Sequence, residues 1–479
     1  MSLKTHMSST HKRVKLSIVT ALVSDGLGKL LPLLTMAYGS RVLSPNVFGE
    51  TQFSLYFLEY FVPAIVWGYS FQTINKLKEF SSDKEKARSY IAKILGLRLL
   101  HATFCALIMV FIVFSYDEYH IYQTYLICLA PMLILSSFGS DFYLISSQKL
   151  TFFHMILVVS KLSIFALVVL FVESKDDALT FTLLTFAVNL VSAILTYLLM
   201  CRDLGFIKPK LARSFEVFKA SIPYGLFTFF YMIPGQLDVL VVEWLGGEEA
   251  VGIYSPAMRL YLSLYASIVA VGAVFYSESV ADKVSEKAME KLLSQGFLTL
   301  FVIALPVAAG SFFLGDRFFE DLFGKGYGKS AALFSTLSIG LLGQSIVHTL
   351  VFQILLPKQK IKQLTSIFIS FFLLTALFAV VGAYLGEVGG VALGMSLVRL
   401  LQGAILLFLC RRFLTRLPVK EFFRVAIPCL FMAAGLFWLQ GEWHWSLTIA
   451  LGVFLFVLSF FLVNRHLFTQ LVSMVKPQK

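Results

Sequence analysis

Apolar runs of about twenty residues recur from one end of this sequence to the other, and only a bilayer accommodates that many of them. A hydrocarbon core about 30 Å thick takes roughly 20 helical residues to cross. Fourteen runs of this kind fall near residues 16–38, 51–73, 91–115, 121–146, 151–172, 178–200, 221–244, 251–276, 290–314, 330–356, 363–384, 389–410, 423–440 and 445–463. Backbone polar groups find no water in hydrocarbon, so segments of this length must satisfy themselves as helices. Composition agrees: 58% of the 479 residues are hydrophobic, 14% are charged and mean hydropathy is +0.81, whereas a soluble domain carries about 25% charged residues. The expectation is an all-α integral membrane protein of about 14 transmembrane helices.

The net charge of +12 would raise the question of nucleic acid in a soluble protein. Here the basic residues sit in short links between apolar runs. With both termini cytoplasmic, links 1–15, 74–90 and 201–220 hold four, five and five Lys+Arg, while links 116–120, 245–250 and 385–388 on the other side hold none. The positive-inside rule explains that asymmetry, so no nucleic-acid partner is expected. The polar amino terminus has no small-residue cleavage site after its first apolar run, which reads as a retained helix. Cys105, Cys128, Cys201, Cys410 and Cys429 form no CxxC pair and predict neither a disulfide framework nor a zinc site. The sequence also lacks GxxxxGK[ST], HExxH and GxSxG, the signatures of nucleotide binding, zinc proteolysis and an esterase-type nucleophile. No cofactor, no metal and no covalent chemistry are expected.

Two weakly similar junctions divide the chain. Arg41–Phe53 (RVLSPNVFGETQF) and Glu243–Tyr254 (EWLGGEEAVGIY) each run from a Leu through a polar turn to a Gly, Gly49 or Gly252, that enters the next helix. The basic link 201–220 lies between the two copies. The organisation expected is an N-lobe of six spans over 1–200, a cytoplasmic connector over 201–220, a C-lobe of six spans over 221–410, and two further spans with a tail over 411–479. Transporters commonly bind substrate at the interface of such repeats. The outer link Gly315–Lys329 alternates apolar and charged residues and is expected to lie at the membrane interface.

Four elements in order along the chain resemble the Wzx-type polysaccharide flippases of the multidrug/oligosaccharidyl-lipid/polysaccharide (MOP) exporter superfamily. They are Arg41-x-Leu43-x-Pro45-x-x-Phe48-Gly49; Ser221-Ile-Pro-Tyr-Gly with Gln236-Leu-Asp238, Val251-Gly252-Ile-Tyr254 and Arg259-Leu260; Leu322-Phe-Gly-Lys-Gly-Tyr327; and Gly389-Gly390-Val-Ala-Leu-Gly394. Where the family often has a Pro after the eighth span, this chain has Tyr276-Ser-Glu-Ser. The resemblance implies two six-helix bundles in a V, two extra helices, and movement of a polyprenyl-diphosphate-linked oligosaccharide from the cytoplasmic to the outer leaflet of the bacterial inner membrane by alternating access. Membrane lipids and a polysaccharide polymerase are the further partners it implies, and an ion gradient is a conceivable drive.

Charges inside spans are the informative positions, because each costs roughly 2.5 to 3.5 kcal/mol at mid-bilayer on insertion scales. Asp25 and Lys29 lie four apart in the first span, on one helical face; Lys29 can meet a diphosphate while Asp25 holds it, or the two can neutralise each other. In the eighth span Arg259 lies among Ser255, Ser263 and Ser267. An Arg fork donates two hydrogen bonds to phosphate oxygens without losing its charge; a salt bridge to Asp238 or Glu243 is the structural alternative. Arg399 is a second basic candidate. The second span carries Tyr56, Glu59, Tyr60 and Trp67 at helical spacing, a face that can stack on and hydrogen-bond to sugars or simply pack. Asp238 follows Pro234-Gly235, a pair that can kink the helix and free carbonyls. Arg98, His101, Asp141 and Lys161 lie nearer span ends and read as snorkelling side chains.

A cation-coupled multidrug antiporter of the same superfamily is the nearest alternative function, but it would favour lone acids over these intramembrane cations. A polysaccharide polymerase or ligase would display a large outer loop, and the longest here is the 15-residue link Gly315–Lys329.

Overall fold

The computed structural model describes residues 28, 30–80, 83–147, 150–279, 286–357, 361–414, 418–438 and 444–465, and among them there is no strand. Among the described residues nine helical stretches are long and apolar enough to cross a membrane, and two of these, Phe215–Val269 and Ile361–Phe413, run to 55 and 53 residues, far more than one crossing requires. Both are interrupted. The described residues thus have the all-helical multi-pass character that the hydropathy predicts, with nine stretches of crossing length among them where about fourteen spans are expected for the whole sequence. By internal packing it divides into two units, Met1–Leu240 and Val241–Lys479.

The first unit begins with α1 over residues 30–42. The second apolar run forms three helices rather than one: α2 (Pro45–Glu59), α3 (Val62–Val66) and α4 (Tyr69–Glu79). Pro63 falls at the start of α3, where its missing N–H costs nothing. Trp67 then turns left-handed at φ 42° and ends it. Gly68 follows at φ 65°, with its α-carbon face against the Tyr224 backbone, 2.5 Å from where a side chain would begin. α5 (Lys84–Ser115) is uninterrupted and is capped by Asp83, whose carboxylate accepts from the Lys86 amide at 3.0 Å. Phe104, Leu107, Phe111 and Phe114 form an exposed stripe along it, as expected of a helix whose solvent is lipid.

The fourth run is also broken, into α6 (Gln123–Ser136) and the single short turn of α7 (Asp141–Ser146). α8 (Leu150–Phe171) and α9 (Ala178–Leu204) pack together. The basic link is held against the unit: the Lys210 amide donates to the Ala92 carbonyl at 2.8 Å and the Tyr197 hydroxyl to the Ile207 carbonyl at 2.6 Å. Ile207 itself joins a core of Ile91, Leu95, Phe142, Leu144 and Met200. α10 (Phe215–Met232) packs on α3, α4 and α5, and a 3-10 turn, Ile233–Gly235, ends it.

In the second unit α11 (Leu237–Ser279) is broken at Gly247, φ 61°. This break lies in the second of the two similar sequence junctions, and the α1–α2 turn at Ser44 lies in the first. α12 (Glu286–Ser311), α14 (Ser330–Leu350) and α15 (Ile361–Cys410) make the centre of the unit. α15 is interrupted at Gly386 and Glu387. Glycine permits the tight α14–α15 contact: a side chain at Gly343 would begin 2.1 Å from the Arg399 carbonyl oxygen. α13 (Gly315–Phe323) is amphipathic as its sequence predicts, with Phe318, Phe319 and Phe323 buried. Its Asp321 accepts from the indole N–H of Trp445 at 2.9 Å. α16 (Val419–Trp438) and α17 (Trp445–Val463) pair with each other, the Asn464 amide donating to the Arg424 carbonyl at 2.7 Å.

Candidate functional site

Three helix interruptions in the first unit converge on one cavity of about 400 Å³. Its lining takes Glu59, Val62 and Pro63 from the α2–α3 break, Ser136, Gly139 and Asp141 from the α6–α7 break, and Met232, Ile233 and Gln236 from the end of α10. α5 adds Arg98 and α9 adds Asn189, Ser192 and Thr196. Interrupted helices suit a ligand site inside a membrane, because carbonyls and amides released from the ladder need partners that hydrocarbon cannot supply.

Those released groups are in use here. The Arg98 guanidinium donates to the Gly139 carbonyl at 2.6 Å. The Gln236 amide donates to the Glu59 carboxylate at 2.7 Å, and the Tyr60 hydroxyl donates to the Gln236 carbonyl. The Ser140 amide donates to the Thr196 hydroxyl at 3.0 Å, fixing the α6–α7 break on α9. Arg98 is only 6% exposed, and its Nε has no acceptor among the described residues. The Ser192 hydroxyl is likewise buried without a partner there. Asp141 is an electrostatic neighbour of Arg98, and its carboxylate makes no hydrogen bond among the described residues. Among the described residues the cavity therefore offers two carboxylates, one guanidinium and several neutral donors.

Glu59 lines this cavity, and Tyr60 and Asp238 stand beside its wall through Gln236 and the start of α11. Asp238 is fully buried, accepting from the Val239 amide at 3.1 Å. Tyr56 is buried in α2. Trp67 packs on α10, stacked over Phe218 with ring centroids 6.1 Å apart and edge-on to Phe229 at 6.5 Å. Asp25 and Lys29 lie outside the described residues.

Arg259 and Arg399 belong to the second unit. The Arg259 side chain, partly buried on α11, has no hydrogen bond or ion pair among the described residues. Its serine neighbours bond within their own helix: Ser255, Ser263 and Ser267 donate to the carbonyls of Val251, Arg259 and Ser263. Arg399 is 6% exposed with its guanidinium 4.2 Å above the Tyr261 ring, and one terminal nitrogen has no acceptor among the described residues. A cation over an aromatic face is stabilised by the ring quadrupole.

Arg98 and Asp141 are the residues that linear reading missed. Arg98 is buried near the middle of α5, which starts at Lys84 rather than near residue 91, so it does not snorkel. His101 donates or accepts at Nδ1 with the Ala64 carbonyl at 2.9 Å, and the Lys161 ammonium donates to the Gly28 carbonyl at 2.6 Å. For Asp141 a signal exists: Ser-Phe-Gly-Ser-Asp interrupts an apolar run with the small polar residues that mark a helix break.

Comparison with known proteins fits this architecture. A family described as "Polysaccharide biosynthesis protein" matches residues 15–276, more than half of the chain. The chain belongs to this family. A protein of Escherichia coli (strain K12) whose name provisionally assigns it to O-antigen transport is 20% identical over 399 residues, 79% of this chain and 94% of that one. Among solved structures, a lipid II flippase, MurJ, in an inward closed conformation superposes with a TM-score of 0.75 at 14% identity, covering 94% of this chain and 99% of the other. An inward-facing multidrug resistance MATE transporter of the MOP superfamily gives 0.60 at 14% identity, over 83% of this chain and 98% of its own. The chain therefore shares its fold with these solved flippase and transporter structures.

Proposed function

We propose that this protein flips a polyprenyl-diphosphate-linked oligosaccharide, the repeat unit of an O-antigen, capsule or exopolysaccharide, from the cytoplasmic to the outer leaflet of a bacterial inner membrane, with both termini cytoplasmic. Membership of the polysaccharide biosynthesis family is the observation that carries this reading. The polar cavity framed by three broken helices supports it, since charged groups in the interior of a multi-pass protein commonly line a substrate or ion pathway.

The barrier is the transfer of a charged, hydrated headgroup through hydrocarbon, while the prenyl tail can stay in lipid. Lowering it requires polar groups that replace the headgroup's water and cations that offset its phosphates. Arg259, Arg399 and Lys29 are the cations assigned to the diphosphate, with Asp25 positioning Lys29. Glu59 belongs to the polar lining, which the Tyr60 bond to Gln236 supports; Asp238 is assigned to the headgroup with Glu59, and Tyr56, Tyr60 and Trp67 to its sugars. A polymerase acting on the outer leaflet is the partner that would draw the product away.

The test places the purified full-length chain in proteoliposomes containing either a fluorescent polyprenyl-diphosphate oligosaccharide or an organic-cation dye. Faster leaflet exchange of the glycolipid than in protein-free vesicles, with no dye movement, is the expected outcome. Dye transport driven by a proton or sodium gradient, without glycolipid exchange, would replace this reading with the antiporter.

A further inference from the structure

We propose that the cavity of the first unit is a receptor for one uncharged, hydroxyl-rich sugar of the transported headgroup and excludes the diphosphate. The inference rests on the flippase reading above and names the part of the cargo that this cavity takes.

Charge decides against phosphate. Among the described residues the lining presents Glu59 and Asp141 against the single guanidinium of Arg98, and that guanidinium already donates to Gly139. A diphosphate placed here would meet two carboxylates with little screening between them. The same lining suits a pyranose. A carboxylate is acceptor-only and takes hydrogen bonds from two neighbouring hydroxyls, and Asp141 has both oxygens free of hydrogen bonds from the described residues. Donors share the lining: the buried Arg98 Nε and Ser192 hydroxyl have no protein partner among the described residues, and the exposed Asn189 amide makes no hydrogen bond among them either. Buried donors without acceptors are costly, and a ligand or water that bonds to them removes the cost. Pro63, Val66, Leu157 and Phe186 supply apolar wall for the C–H faces of a ring. The volume, about 400 Å³, is at the small end of the roughly 300–1,000 Å³ typical of ligand sites. It admits one sugar and leaves the rest of the repeat unit outside.

The experiment compares two fluorescent polyprenyl-diphosphate trisaccharides in proteoliposomes of the full-length chain, one of neutral hexoses and one in which hexuronates replace them. Wild type is expected to move the neutral glycolipid at least about tenfold faster than the acidic one, the discrimination of one charge-assisted hydrogen bond. In Asp141→Asn the ratio falls to within about threefold, because one of the two repelling carboxylates is gone. Asn189→Leu, on the exposed side of the cavity, is the second variant; it slows the neutral glycolipid without changing the melting temperature. Equal wild-type rates, or a ratio that Asp141→Asn leaves unchanged, overturns the proposal. Wild type moving neither glycolipid overturns the flippase reading instead.

Discussion

Replacing Gly68 with Ala tests whether the broken second run is built as described, because the cost of that one methyl group can be worked from the backbone. Gly68 sits at φ 65°, in the left-handed region, which costs an L-residue about 1–2 kcal/mol. The added carbon would lie 2.5 Å from the Tyr224 carbonyl carbon and 2.6 Å from its oxygen. Backbone in the middle of α10 cannot swing aside as a side chain can, and overpacking of this kind costs about 1–3 kcal/mol. Together the two effects give about 2–5 kcal/mol of destabilisation, or roughly 4–20 °C in melting temperature for a unit of this size. Gly235, in the 3-10 turn that ends α10, is the control. A side chain there meets nothing within 4 Å, so Gly235→Ala should change stability by less than about 1 kcal/mol. Thermal unfolding of the purified chain in detergent measures both. A Gly68→Ala protein that melts with wild type, or a Gly235→Ala protein that melts far below it, would refute the packing described for α3, α4 and α10.

Three further substitutions probe other parts of the account. Gly343→Val places a branched side chain where even the first carbon lies 2.1 Å from the Arg399 carbonyl; separation of α14 from α15 should show as a loss of folded protein in detergent, and normal yield and melting would contradict the close contact. Trp67→Ala removes the ring stacked on Phe218 and should cost about 3–5 kcal/mol by the cavity it leaves, read by the same melts. Asp83→Ala removes the α5 cap. The Lys86 backbone amide and ammonium group hold the Asp83 carboxyl below its ordinary value, so its contribution is present above the usual carboxylate range and disappears as pH falls through the lowered value. The melting temperatures of wild type and Asp83→Ala should therefore differ at pH 7 and converge under strong acid; a gap that persists or grows toward low pH would show that the carboxylate is not the cap.

Hydropathy made the helices legible because lipid selects for unbroken apolar length, and the runs near 178–200, 330–356 and 445–463 match α9, α14 with its following turn, and α17 closely. The interruptions were harder to see. Pro234-Gly235 announced its own, and Pro63 marks a break within Leu58–Trp67, but the left-handed residue after α3 is not marked in the sequence; it depends on Gly68 meeting α10, a contact between distant segments. The site suffered from the same blindness. Glu59 was visible as a charge in a span, whereas Arg98 looked like an end residue because α5 continues well beyond its apolar window, and Asp141 because a helix break places it inside the unit rather than at its edge. The partnering of Ser255, Ser263 and Ser267 with their own helix could not be told from a polar stripe facing a ligand, since both give the same spacing.

The most direct test of the central claim is the leaflet-exchange rate of a fluorescent polyprenyl-diphosphate oligosaccharide in proteoliposomes, compared between wild type and Arg259→Ala. Arg259 is partly buried, and its side chain has no hydrogen bond or ion pair among the described residues, so the variant should insert and melt like wild type. Its exchange rate should fall at least about tenfold, as expected for loss of a charge-assisted contact with phosphate, and Arg259→Lys should recover part of it. Exchange by wild type no faster than in protein-free vesicles, from protein shown to be folded, would contradict the account.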